Sequence, residues 1–298
     1  MATRQPEFLT VRELAELLRV KDRKVYALAA SGEIPCSRAT GKILFPRSAV
    51  EAWLARHGAS ASPAAIGPAV RPTVMVGSHD PLLDWALRES RSGIASFFDG
   101  SLDGLARFVR SEAVCAGMHI FEAGNGGWNV SHVAEALGAE PVALIEWAWR
   151  ERGLIVAAGN PLGLRTIGDL AGRRVVPRQA EAASQQLLLH LLAGDSLKPA
   201  DLLLADPPAR NETDLALAVA DGKADAAFGL AAAARQYRLD FVPLMRERYD
   251  LLVWRQFYFE DPFQRLLRFC RAPQFAARAA EFGGYDVNGL GTVHFNGA

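Results

Sequence analysis

The chain predicts a mixed α/β protein made of two bodies: a small helical module with a β-hairpin, then a larger domain of alternating strands and helices. Three observations carry this prediction. Its 298 residues exceed one ordinary core and suit a small domain plus a larger one, since domains cluster near roughly 100 to 150 residues. Residues 58–73, GASASPAAIGPAVRPT, replace any periodicity with small residues and three prolines, and so read as a spacer of limited flexibility. From Thr73 onward, short apolar runs alternate with amphipathic stretches, the pattern of βα units around a largely parallel sheet.

Composition narrows the function classes. Half of the residues are apolar and 22% are charged, the balance of a globular chain able to bury substantial surface. No run approaches the roughly 18 to 20 apolar residues that span a bilayer, and MATRQPEFLTVREL lacks the apolar core of a secretory signal. Cys36, Cys115 and Cys270 are odd in number and unpatterned, which suggests neither a disulfide framework nor a zinc site. A cytoplasmic protein with no membrane partner and no metal is expected. The zero net charge hides a division: residues 1–58 hold ten Lys/Arg against six Asp/Glu, so the module carries +4 and the remainder −4. A basic module on a mildly acidic domain fits polyanion binding by the first and another task for the second.

The elements of the module follow in order. Thr10 with Glu13 has the capping-box spacing, and Val11, Leu14, Leu17 and Leu18 form one stripe, which predicts a helix over 11–18. A second helix runs from Asp22 to Ala30 with Val25 and Leu28 inward, stopping at Ser31-Gly32. IPCSRATGKILFP gives two short strands about Gly41-Lys42, and Ser48 to His57 a closing helix anchored by Val50, Trp53 and Leu54. Helix, tight turn, helix, hairpin and helix make a winged helix-turn-helix. Its phrases LTVRELAELLRV, KVYALAASGEIP and GKILFPRSAVEAWL resemble the excisionase-like, MerR-type DNA-binding family over residues 8–57. The resemblance implies double-stranded DNA as partner, with Lys21, Arg23, Lys24 and Tyr26 at the start of a recognition helix in the major groove. Arg38, Thr40 and Lys42 on the wing would then reach phosphates or the minor groove.

In the larger domain, TVMVGSHD, AVCAGMHIFE and GLIVAAGNP read as buried strands, ALAVADGKADAAFGLAAAARQ as helix, strand and helix, and DFVPLMRERYDLLVWR as two more strands. Ser78, Ser101 and Ser184 stand at turns or helix starts, where backbone N–H groups and a hydroxyl together suit an anion or simply cap a helix. The ordered phrases GSHD, GSLDGL, AGMHIFE, GLIVAAGNP, Arg178-Gln179, DGKADAAFGL, LDFVPL and ERYDL resemble the cytoplasmic PBP-like domain, related to the type 2 periplasmic binders of molybdate and tungstate. The resemblance implies a two-lobed α/β fold with a ligand in the cleft. Lobe one is placed at 73–152 plus 245–298, lobe two at 153–244, with 59–72 as the linker. It further implies a position for His119 near the strand end facing the cleft and a hydroxyl contact from Tyr249. His79 suits a cleft residue at a helix start or a surface histidine, Trp128 and Asn129 belong to a loop that could close over a ligand, and Arg178 could neutralise an anion. A departure follows Arg178-Gln179: Ala180-Glu181-Ala182-Ala183-Ser184 stands where the family has a Gly-Ser-Gly-Thr-like anion loop. Without those glycines close backbone approach is restricted and Glu181 adds negative charge, which brings in larger, partly neutral ligands beside a naked dianion.

Other constellations carry less. Ser78-His79-Asp80 is adjacent in sequence, and relays are recognised by spatial geometry. Cys115, His119 and Glu122 would share a face only on a helix, whereas this run reads as a strand. Trp128 suits either a stacking platform in a closing loop or a partly buried turn, and Arg178 either an anion partner or a surface ion pair. The expected function is a non-enzymatic, dimeric, ligand-responsive transcription regulator. It requires no cofactor and senses an oxyanion such as molybdate or tungstate, or molybdenum cofactor. The rivals are a DNA-binding accessory without a sensor, and an enzyme or carrier of molybdenum-cofactor metabolism.

Overall fold

In the computed structural model the described residues are 7–31, 34–37, 41–50, 53 and 71–298. They belong to two compact units, Met1–Pro68 and Ala69–Ala298. In the first unit, strand β1 (Phe8–Leu9) leads into helix α1 (Val11–Leu18), and α2 (Asp22–Ala30) follows a short turn. The capping box is present: Thr10 Oγ1 accepts from Glu13 N at 3.3 Å and Glu13 Oε2 accepts from Thr10 N at 2.8 Å. Arg19, at φ +53°, ends α1 in the left-handed region and turns the chain toward α2. Strand β2 (Phe45–Pro46) pairs antiparallel with β1, and Ser37 and Leu44 exchange both backbone hydrogen bonds, which forms the wing. Residues 47–50 and Trp53 are helical. Leu9, Leu14, Val25, Leu28, Ile34, Phe45 and Val50 are buried together, so the stripe read from the sequence is the core of this unit. The Gly32 turn, Arg38, Thr40, the end of the closing helix and nearly all of the 59–72 linker lie outside the described residues.

The second unit begins with the βα pairs of lobe one: β3 (Val74–Gly77), α3 (Pro81–Glu89), β4 (Ala95–Phe98), α4 (Ser101–Val109) and β5 (Cys115–Met118). A small hairpin, β6 (Phe121–Glu122) with β7 (Gly127–Trp128), precedes α5 (Val130–Leu137). A 15-residue strand, β8 (Val142–Val156), crosses into lobe two. There lie β9 (Arg174–Val176), α6 (Ala183–Gly194), β10 (Leu203–Leu204), α7 (Glu212–Ala220), β11 (Ala226–Leu230) and α8 (Ala231–Gln236). A second 15-residue strand, β12 (Asp240–Trp254), returns to lobe one. Helices α9 (Arg255–Tyr258), α10 (Asp261–Cys270) and α11 (Pro273–Phe282) and the short strands β13 (Tyr285–Asp286) and β14 (Val293–Asn296) complete the fold.

Two expectations are corrected. The run Asp240–Trp254 is one strand rather than two, bent by register irregularities at Pro243/Met245 and Tyr249/Asp250. The sheet, ordered β10-β9-β11-β8-β12-β5-β3-β4, is parallel within the βα units but antiparallel wherever β8 or β12 enters, because these two strands run between the lobes in opposite directions. Each lobe buries apolar side chains on both faces of its strands, as sheets covered by helices do. In lobe one Trp147, Leu83 and Phe263 lie on one face and Phe108, Met118 and Leu144 on the other. Lobe two places Val175, Leu188 and Phe228 opposite Val176, Leu215 and Ile155.

Candidate functional site

The strand-to-helix turns of both lobes converge on a buried polar cluster. Lobe one supplies Ser78 and Asp80 from the β3–α3 turn, Ser101 from the start of α4 and His119 just beyond β5. Lobe two supplies Arg178 after β9, Ser184 on the first turn of α6 and Glu212 at the start of α7. The crossover strands contribute Arg150 and Arg152 from β8 and Glu247 from β12. All ten are buried.

Glu247 is the hub. Its carboxylate accepts from Arg150 Nη2, from Arg152 Nε at 2.6 Å and from Arg152 Nη2 at 2.9 Å, and it faces His119 Nδ1 at 3.0 Å. Arg150 also donates to Asp80 at 2.9 Å, and Arg152 to Glu212 at 3.0 Å. Burial by itself would raise the Glu247 carboxyl, but the two guanidiniums outweigh it and hold the group well below its ordinary value. Burial lowers the His119 imidazole, which is therefore neutral near pH 7. Because a carboxylate only accepts, Nδ1 carries the ring proton, and Nε2 accepts the Ser78 hydroxyl at 3.0 Å. Ser78 Oγ thus keeps its lone pairs for a donor.

Four buried atoms here have no hydrogen-bond partner among the described residues: Ser184 Oγ, Glu212 Oε2, Arg152 Nη1 and Arg150 Nε. Buried polar atoms are nearly always satisfied, so several orphans in one place make it a candidate for ligand recognition. Beside the cluster lies a cavity of about 230 Å³ between the lobes, lined by His79, Asp84 and Arg88 from one and Thr213 and Gln236 from the other. The Nδ1 of His79 is buried there and also unpartnered.

Ser78, Ser101, His119 and Arg178 thus share one cluster, Ser184 lies next in sequence to Gln185, which accepts from Arg178 N at 2.8 Å, and His79 lines the adjoining cavity. The remaining expected residues sit behind it. Tyr249 is fully buried and donates its hydroxyl to the Ser78 carbonyl at 2.5 Å, so it braces the turn instead of reaching outward. Trp128 packs on Phe121 with ring centroids 5.2 Å apart, in the lobe-two core cluster rather than as an exposed platform. The amide of Asn129 is consumed by Ile120 N, Met118 O and Asp250. Arg178 is no surface ion pair: it donates to the carbonyls of Ala209 and Arg210 and meets Glu212 at 3.4 Å, all inside. Glu122 turns away from Cys115 and His119 to accept from Ser131 N and Asn125.

Asp80 as an ion-pair partner, Arg150, Arg152, Glu212 and Glu247 escaped the sequence reading. A signal existed in WAWRERGLIV, where Arg150 and Arg152 are two residues apart in an apolar run and must share one face of a strand. What they face is decided by α7 and β12, whose Glu212 and Glu247 lie 60 and 95 residues beyond Arg152 in the chain.

In the first unit, Lys21, Arg23, Lys24 and Tyr26 are exposed at the start of α2, and Lys42 is exposed on the wing. Arg19, Lys21, Arg23 and Lys24 border a surface groove against Val20 and Ala27. Lys21 is the N-cap residue of this helix start, and Asp22 is the one carboxylate in its first turn, beside Lys21, Arg23 and Lys24.

A family model described as PBP superfamily domain matches residues 85–271, and one described as helix-turn-helix domain matches residues 8–58. The uncharacterized protein YvgK of Bacillus subtilis (strain 168) is 26% identical over 299 residues, covering 95% of this chain and 96% of that protein. Among solved structures, a putative phosphate ABC transporter substrate-binding protein from Clostridium perfringens, with bound phosphate, has a similar fold. Its TM-score is 0.53 at 10% identity, covering 70% of this chain and 96% of that one.

Proposed function

From a chain that belongs to the PBP superfamily, with a helix-turn-helix domain ahead of it, we propose a one-component regulator whose DNA affinity responds to a small molecule held between the lobes. One observation carries this reading: a cationic helix start and a cluster of orphaned buried polar atoms occur in two units of one chain. The first unit contacts double-stranded DNA through Lys21, Arg23, Lys24 and Tyr26, with Lys42 on the backbone. Two copies bind together, because one short recognition helix gives limited affinity and doubled half-sites supply the rest. The second unit is a sensor without catalysis. An oxyanion, molybdate or tungstate among them, and molybdenum cofactor are the ligands that the family resemblance brings forward.

The test measures operator affinity at fixed salt with and without saturating ligand. Coupled sites obey reciprocity, so a ligand that changes DNA affinity typically about 5- to 150-fold has its own affinity changed by the same factor. Equal operator affinities in the two conditions would sink the sensor reading. Replacing residues 59–72 by a long Gly/Ser spacer then shows whether the linker transmits the change.

A second reading rests on the relay Ser78–His119–Glu247, whose two links are both 3.0 Å. In a hydrolase it would activate Ser78. Two features favour a binding role: Glu247 is shared by two guanidiniums, and burial lowers the basicity of His119. A fluorophosphonate probe decides, since covalent labelling of Ser78 would establish the nucleophile and no labelling is expected.

A further inference from the structure

The charges buried between the lobes cancel. Three guanidiniums, Arg150, Arg152 and Arg178, meet three carboxylates, Asp80, Glu212 and Glu247, beside a neutral imidazole. Two of the helix starts that point here are compensated by the chain itself: Asp80 caps α3 through Leu83 N at 2.7 Å, and Glu212 is the first residue of α7. A free oxyanion entering this cluster meets no excess positive side-chain charge and three buried carboxylates, an arrangement that disfavours a further negative group.

The open hydrogen-bonding positions are mixed in kind. Arg152 Nη1 and Arg150 Nε are pure donors, Glu212 Oε2 a pure acceptor, and Ser184 Oγ serves as either, all in residues at most 2% exposed. Ser78 Oγ adds an acceptor, because its proton is given to His119. The donor and the acceptor also lie close together, since Arg152 Nη2 and Glu212 Oε1 are joined at 3.0 Å and the two free atoms belong to that same ion pair. A molecule that satisfies both carries an acceptor and a donor only a few bonds apart, and the carboxylate and ammonium of a zwitterion supply them as charge-assisted partners.

We propose that the interlobe site takes a small zwitterion, its anionic group on Arg152 Nη1 and Ser184 and its cationic group on Glu212 Oε2. This rests on the sensor reading above and names its ligand class. Such a ligand leaves the charge of the site balanced and meets the open acceptor as well as an open donor, whereas a tetrahedral oxyanion meets only donors and is repelled by Glu212. Ala180–Ser184 agrees with it: a loop without glycines is ill-suited to wrap an anion in backbone N–H groups. The polar cavity at His79 and Thr213, each next in sequence to a member of the cluster, receives the rest of the molecule.

The experiment is calorimetric titration of the full-length protein with each of the L-amino acids as zwitterion probes, and with molybdate, tungstate, sulfate and phosphate as oxyanion probes. In parallel, operator affinity is measured with and without the low-molecular-weight fraction of a cell extract. The expected result is binding of an amino acid, weakened about tenfold by Ser184→Ala and abolished by Glu212→Gln. Ser184→Ala keeps the native melting temperature, because the hydroxyl it removes has no partner. Binding of an oxyanion with no amino acid bound overturns the zwitterion and leaves the sensor intact. Amino-acid binding indifferent to both substitutions overturns the site assignment. If no probe binds but the extract shifts operator affinity, the ligand class is wrong while the sensor reading stands. If the extract also does nothing, both fall.

Discussion

Gly117 shows how much a single residue decides. A Cβ at this position would lie 1.9 Å from the Tyr249 hydroxyl, the group that donates to the carbonyl of Ser78. Gly117→Ala should therefore displace Tyr249, loosen the Ser78 turn and cost about 1 to 3 kcal/mol through overpacking. Tyr249→Phe removes the colliding oxygen, so the double variant should unfold less easily than the sum of the single variants requires, as a denaturation cycle would measure. Glu247 makes the pH dependence. With its folded carboxyl held well below the ordinary 4.5, its contribution is complete above that value and is lost as pH falls further. His119, lowered from 6.5 by burial, adds a loss in the same direction starting below 6.5. Asp250, pushed up by burial to about 6, opposes them, since its contribution fades as pH rises through that value. Urea midpoints across pH should show a steep acid limb that Glu247→Gln removes. At pH 7 that variant should lose about 3 to 5 kcal/mol, because two buried guanidiniums are left short of a partner.

At the scale of the element, two designs separate the units. Helix α1 has only eight residues and depends on its reciprocal Thr10–Glu13 cap. Thr10→Ala should cost about 1 kcal/mol of local stability and weaken operator binding with it, while ligand titration of the second unit stays unchanged. Arg23→Ala and Lys24→Ala, on an exposed helix start, should leave the melting temperature alone yet cost about 1 to 3 kcal/mol each in DNA affinity where they touch a base edge. A charge-removing pair that left affinity unaltered in a mobility-shift titration would move the interface elsewhere. The crossover strands β8 and β12 work differently. They belong to the sheets of both lobes, and the irregularities at Pro243/Met245 and Tyr249/Asp250 lie on either side of Glu247, so any bend between the lobes is felt at the hub of the cluster.

For the second unit as a whole, contacts on the far side of the cluster hold the lobes together. Arg210 of lobe two donates to Asp99 of lobe one at 2.5 Å, and the Gln179 amide reaches the same residue at 3.4 Å. Gly100 lies so close to Glu181 that a Cβ would stand 2.9 Å from its carbonyl oxygen. Arg210 is largely exposed, so Arg210→Ala should change global stability by less than about 1 kcal/mol. It acts on closure instead: ligand affinity should fall by up to about fivefold, the factor that corresponds to 1 kcal/mol. Small-angle scattering should show a larger radius of gyration for the variant. An unchanged affinity together with an unchanged radius would mean that the lobes close without this pair.

The sequence by itself determined what depends on neighbours in the chain: the capping box, the stripe of α1, the limits of α2 and the exposure of Lys21, Arg23 and Lys24, together with Ser101 and Ser184 at their helix starts. Local spacing sets these through hydrogen bonds and periodicity, so a short window contains the cause. Tertiary structure alone decided what surrounds the cluster. Arg150 and Arg152 find Glu247 only because β8 and β12 pair antiparallel, and Glu212 joins them only because α7 begins where those strands cross between the lobes. Burial then sets the protonation of His119, and so turns Ser78 into an acceptor. Tyr249 and Trp128 mark the same limit from the other side. Residue type and position suited both to a ligand contact, but the packing of Tyr249 under Ser78 and of Trp128 on Phe121 assigned them to the frame, because a side chain's partners are chosen by whatever the fold lays against it.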